Sequence, residues 1–208
     1  ERIGKNEYII LQMLQDNNWE RDIYYAVTVG NEASLGLENY LSLEGLTNRI
    51  TPVRNEGGSV NTEVMFDNMV NKFKWGGIEN PKVYLDENNL RMCSTFRYMF
   101  SKLIEALIME GKTDKALIAL DRCMEVMPAN TVPHKYFSVH FADYYYQLGE
   151  NEKARELITH IADKSKANLD WFFSLKRQDQ ILSAKMDITE NLYAFQLILQ
   201  ATQKFDED

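Results

Sequence analysis

Three histidines, at positions 134, 140 and 160, are the side chains of this sequence best suited to proton transfer or metal ligation. His134 and His140 are six residues apart, a spacing that does not put them on one face of a helix. No Cys or His cluster has metal-ligand spacing, so no metal and no cofactor is expected. No G-x-S-x-G, P-loop or G-x-G-x-x-G occurs. Gly57-Gly58 and Gly76-Gly77 are too short to cradle a phosphate and read as turns. Two acidic pairs, Glu38 with Glu44 and Asp86 with Glu87, could be proposed for glycoside hydrolysis. Capping and solvated roles account for them better. The most informative polar cluster is Asn18-Trp19-Glu20-Arg21. Indole and guanidinium can stack, and the planar guanidinium suits a carboxylate. Trp19 and Arg21 are therefore candidate binding residues, although anchoring of the segment that follows is the favoured role. No catalytic residue is expected in this chain.

The elements that would position these groups come from 208 residues, enough for one good core or two small ones. A net charge of −8 argues against nucleic acid, which needs a clustered basic surface. Lys72-Phe73-Lys74 and Lys176-Arg177 have acids nearby and read as solvated helix faces. The apolar runs are too short to cross a bilayer, so no membrane insertion is expected. Opening on Glu1 rather than Met, the chain is expected to be a fragment, and the missing signal peptide then says nothing about location. If Cys93 and Cys123 lie on antiparallel helices joined near Gly111, they are offset by roughly 10 Å along the axis. That exceeds the reach of a disulfide, and both are expected to be small buried hydrophobes.

Residues 6–16 place Ile9, Ile10, Met13 and Leu14 on one helical stripe. Residues 23–29 (IYYAVTV) read as a strand closed by Gly30-Asn31. Residues 37–44 read as a short helix stopped by Gly45. Residues 49–53 are a second strand candidate, at an edge or a strand end because Pro52 cannot donate to a ladder. Residues 55–59 (NEGGS) read as a flexible loop. Asn61 or Thr62 should cap the next helix, and Asp86 a long one running to Glu110. The fold class is mainly α, with helical hairpins preceded by a small α/β segment containing two short strands. The expected organisation is an α/β lead-in over 1–84, two hairpins over 85–164 and a capping helical pair over 165–208.

The hairpins repeat. Gly111 aligns with Gly149 and Ala116 with Ala154, through GKTDKA and GENEKA. This pattern resembles tetratricopeptide repeats, in which small residues sit where helices A and B touch and Pro ends helix B. In the first hairpin Phe100, Leu103, Leu107, Ala116, Leu120, Cys123 and Pro128 fit, and Ile104 departs. In the second Phe141, Ala142, Tyr145, Ala154 and Ile158 fit, whereas Ser138 and Ile161 do not and no Pro falls near Lys166. The resemblance implies a concave face lined by Tyr98, Ser101, Lys102 and Glu105, then Tyr136, Val139, His140, Asp143 and Tyr146. Ser101, Glu105, Val139 and Asp143 stand where some such domains grip a carboxylate, so that clamp is absent. An aromatic, acidic face suits a basic or apolar peptide, or a neighbouring domain. Packing roles for Tyr98, Tyr136 and Tyr146 are the equal alternative.

Residues 17–30 (NNWERDIYYAVTVG), 35–46 (LGLENYLSLEGL), 61–78 (NTEVMFDNMVNKFKWGGI) and 84–97 (YLDENNLRMCSTFR) carry a second resemblance. With the hairpins, they look like the C-terminal region of a family of large bacterial membrane proteins of uncharacterised function. The membrane-spanning part of that family resembles protein O-mannosyltransferases. Where the family commonly has Pro after its Trp-x-Arg element, this chain has Asp22. The resemblance implies a non-catalytic soluble tail on the periplasmic face of the inner membrane. Its partner would be a protein, a peptide acceptor or the parent protein's own membrane domain. The competing implication is a carbohydrate- or acceptor-binding domain that assists glycosyl transfer.

Overall fold

The computed structural model describes residues 4–29, 36–55 and 60–205. The turn expected at Gly30-Asn31 and all but Asn55 of the expected NEGGS loop lie outside the described residues. The chain is mainly α and divides into two compact units, residues 1–74 with 94–115, and residues 75–93 with 116–208.

The first unit opens with helix α1 (Lys5–Asn17). Its apolar stripe is only partly covered: Ile10 and Leu14 are half-buried, while Ile9 and Met13 stay exposed. Three short strands follow, β1 (Tyr24–Ala26), β2 (Leu41–Leu43) and β3 (Thr47–Ile50). They form an antiparallel sheet in the order β1-β3-β2, with Tyr24 opposite Arg49 and Leu41 opposite Ile50. The sheet corrects one expectation. Residues 37–44 give a single 3-10 turn, Glu38–Tyr40, and then the strand β2, so the sheet has three strands among the described residues rather than the two expected. A run as short as Tyr-Leu-Ser-Leu fits either period, and ladder hydrogen bonds to β3 decide it. Strand β3 stops at Ile50, before Pro52.

Asn61 caps helix α2 (Thr62–Phe66), accepting from the Val64 amide at 3.3 Å. A π-helical turn, Asp67–Lys72, continues it. The buried side chains of this unit include Ile50, Met65, Met69, Phe100, Leu103, Ile104 and Leu107, and also the charged Arg97. A polar network ties the sheet together. The buried Glu44 carboxylate accepts from Arg49 Nε at 2.8 Å and Asn61 Nδ2 at 3.3 Å, and Arg49 also reaches Asp22 at 3.5 Å. Asn68 Nδ2 donates to the Glu44 carbonyl at 2.7 Å. Glu44 is thus half of an ion pair, and Glu38 is exposed on the 3-10 turn.

Helix α3 (Glu87–Met109) begins as expected at Asp86, whose carboxylate accepts from the Asn89 amide at 2.8 Å. It passes from the second unit into the first, and α4 (Thr113–Val126) passes back. The second unit continues with a 3-10 turn (Tyr136–Ser138), α5 (Val139–Gln147), α6 (Asn151–Ser174), α7 (Gln178–Ser183) and α8 (Lys185–Phe205). The boundary expected at 165 falls inside α6, because nothing between 165 and 174 breaks a helix. α6 packs on both α5 and α8, and α8 also lies against α5 and the 3-10 turn. Cys93 and Cys123 are free and buried, as their spacing predicts.

Two turns share one construction. After α3, the Gly111 amide donates to the Ile108 carbonyl and the Lys112 amide to the Leu107 carbonyl, at 3.0 and 2.8 Å. After α5, the Gly149 amide donates to Tyr146 and the Glu150 amide to Tyr145, at 3.1 and 2.9 Å. Both are Schellman caps, with the glycine left-handed at φ 73° and 83°. Ala116 and Ala154, five residues past each glycine, are fully buried.

Candidate functional site

The Gly149 cap reverses the chain so that the first turn of α6 returns beside the last turn of α5. That brings Lys153 to Tyr145, and both reach Asp121 on α4. Tyr145 Oη donates to Asp121 Oδ1 at 2.9 Å, and Lys153 Nζ donates to Oδ1 and Oδ2 at 3.0 and 2.9 Å. The Lys153 ammonium also lies 5.6 Å from the centre of the Tyr145 ring. Burial, reinforced by the hydrogen bond to Asp121, pushes the Tyr145 hydroxyl far above its ordinary pKa. The same carboxylate holds Lys153 above its ordinary value. At neutral pH the phenol is therefore a fixed donor and the amine a fixed cation. This is a polar anchor that joins α4, α5 and α6.

The anchor forms one end of a groove of ≈ 420 Å³ lined by Met124, Pro128, Ala129, Glu156 and Leu157. At the other end His134 and His160 meet edge to face, their ring centres 5.7 Å apart. An apolar floor with polar groups at both ends can hold an extended chain and fix its register. Among the described residues, no group of three or more His, Cys, Asp or Glu could hold a metal ion.

The residues expected on the concave face fall into two sets. In the first unit, Tyr98 is exposed with the Lys102 ammonium 5.5 Å from its ring centre, and Lys102 pairs with Glu105 at 3.6 Å. Ser101 is half-buried and Glu105 exposed. In the second unit, His140 and Asp143 come together at 3.8 Å, and the Asp143 carboxylate raises the His140 pKa. Tyr136 and Tyr146 are engaged by α8. Tyr136 meets Tyr193 edge to face at 5.4 Å, and Tyr146 is buried in a stack on Phe205 at 5.0 Å.

Trp19 and Arg21 sit in the turn after α1. Asn18 and Trp19 are both left-handed, at φ 44° and 63°, a conformation that costs non-glycine residues energy. Asn17 Nδ2 locks the turn by donating to the Arg21 carbonyl at 2.7 Å. Arg21 lines a shallow cleft of ≈ 500 Å³ with Met13, Asp16, Glu20, Asp22 and Ile23, while the half-exposed indole lies outside that lining.

One family of known proteins is similar to part of this chain. The sequence model of TMEM260-associated domain 2 matches residues 1–69. The match is consistent with a domain of a larger membrane-associated protein. It takes in α1, the sheet, α2 and the Trp19 turn, and stops short of both glycine caps and the groove. No curated protein and no solved structure matches the chain. Among the described residues, no helix is long and apolar enough to cross a membrane.

Sequence reasoning missed the groove. Asp121 is 24 residues from Tyr145 and 32 from Lys153, and no local periodicity joins them. One signal was available: Lys153 of GENEKA stands where Lys115 stands in GKTDKA.

Proposed function

We propose that this chain is a non-catalytic, tetratricopeptide-like interaction domain. In this reading it is the soluble, periplasmic tail of a membrane glycosyltransferase-like protein, and it docks a partner protein, an acceptor or the parent's own membrane domain. The observation that carries the reading is the α4–α5–α6 groove, whose Asp121–Tyr145–Lys153 anchor is fixed and whose floor is apolar. The repeated glycine caps support it, because stacked helical hairpins present such grooves to extended ligands. With Asp121 neutralised by Lys153, Glu156 beside Met124 and Leu157 favours a peptide that is mainly apolar with a basic residue.

The test is a titration with apolar–basic peptides followed by amide NMR. Saturable shifts should map to Met124, Leu157 and His160 and vanish in Leu157→Glu. Shifts that ignore this variant would overturn the reading. A second reading, glycan binding, rests on the left-handed, half-exposed Trp19 beside its cleft. Saturable binding of short glycans abolished by Trp19→Ala would favour it over a purely protein-binding domain.

A further inference from the structure

The groove among α4, α5 and α6 ends in two imidazoles. His134, from the segment before the 3-10 turn, is half-buried, and His160 on α6 is exposed. Both line the groove, edge to face with ring centres 5.7 Å apart. Histidine is the side chain whose charge changes between about pH 5 and 8. The other charged residues of the lining are Asp121, Lys153 and Glu156. Lys153 pairs with Asp121 at 2.9 Å, which leaves the Glu156 carboxylate as the uncompensated charge. Tyr145 and Lys153, both held above their ordinary values, keep their protons throughout this range. The lining therefore carries −1 with both imidazoles neutral and +1 with both protonated. Glu156 lies one helical turn before His160 on α6, so an imidazolium at 160 also draws that carboxylate away from a ligand.

Charges behind the two rings leave this sign unchanged. His134 also borders a smaller cleft of ≈ 110 Å³, whose charged residues are Lys135, Lys164, Asp187 and Glu190. These balance, and Lys135 pairs with Glu190 at 3.8 Å. In the turn after His160, Asp163 and Lys164 are exposed and of opposite sign. On α4 Arg122 pairs with Glu125 at 2.6 Å, and on α5 His140 pairs with Asp143 at 3.8 Å; none of these four lines the groove.

We propose that His134 and His160 set the charge preference of the groove. With both neutral it takes an apolar segment carrying a basic residue; with both protonated it takes an apolar segment carrying an acidic one. Resting on the reading of the groove as a peptide site, this makes acidity a switch of ligand class rather than a simple release.

The test is fluorescence anisotropy of the whole chain with three peptides, one apolar sequence carrying a single Lys, Glu or Gln. Each is titrated at about pH 8 and about pH 5.5, on either side of the histidine range. From the higher pH to the lower, the Lys peptide should weaken roughly tenfold and the Glu peptide tighten as much, about threefold for each charge at a partly exposed site. The Gln peptide should bind alike at both. His160→Gln, at an exposed position, should leave the melting temperature unchanged and reduce each shift to about threefold. His134→Gln with His160→Gln should keep the Lys preference at both pH values. A preference that ignores pH overturns the proposal and leaves the groove a peptide site, as does a reversal that survives both Gln substitutions. If none of the three peptides binds at either pH, the peptide-site reading falls, and the charge preference falls with it.

Discussion

Gly111 and Gly149 turn the chain with the same two hydrogen bonds, yet the side chains around them are wired differently. At the first turn Lys112 reaches Glu63 and Glu110, each at 2.7 Å, and Lys115 reaches Glu63 at 2.5 Å. Thr62 Oγ1 completes the set, donating to Glu110 at 2.8 Å. All these groups lie at the surface except the buried Thr62. At the second turn Lys153, the counterpart of Lys115 and like it at the surface, turns instead to Asp121 and to the buried Tyr145. The backbone device is set locally by glycine. What it builds is set by the residues that the turn brings back: an ion cluster that pins α2 in one unit, and one end of a groove in the other.

The largest expected effects probe what the turns share. Ala116→Leu and Ala154→Leu should each destabilise by roughly 1–3 kcal/mol in thermal melts, since both sites are fully buried. A variant that melts like the parent would break the equivalence of the two hairpins. Gly111→Ala and Gly149→Ala come next, at about 1 kcal/mol each. A Cβ would meet nothing within 4 Å at either glycine, so the backbone conformation alone sets the cost and the two values should agree.

The next changes separate the turns. Tyr145→Phe removes a buried donor from Asp121 and should cost about 1 kcal/mol. Lys115→Ala removes an exposed ion pair and should cost less than about 0.5 kcal/mol, falling further in salt. Equal losses would show that the groove anchor is only another surface pair. The smallest effect is one of pH. Hydrogen bonds from Lys112 and Lys115 hold the Glu63 carboxyl at about 2, below its ordinary 4.5. A depressed carboxyl contributes its stabilisation above 4.5 and loses it as pH falls toward about 2. Hydrogen-exchange protection of the Lys112 amide should decline over that window.

Features set by neighbouring residues were legible in the sequence. The caps at Asn61 and Asp86, the glycine-led turns and the burial of both cysteines follow from local chemistry or spacing. Features set across distance were not. Leu41–Leu43 becomes a strand because β3 supplies a ladder, and α6 runs past 165 because no breaker stops it. The groove needs three helices to converge, and the Glu44–Arg49 pair needs the β2–β3 hairpin already formed. The burial of Tyr146 is of the same kind, because its partner Phe205 is 59 positions later in the chain.

The stack of Tyr146 on Phe205 has a proteolytic consequence. Residues 175–177, between α6 and α7, leave helical structure and carry an exposed Lys-Arg pair, the target of trypsin-like proteases. A cut there leaves α8 attached by packing alone. The aromatic face on α5 would then be covered or bare according to a dissociation equilibrium, and one scission would convert an intramolecular lid into an exchangeable peptide.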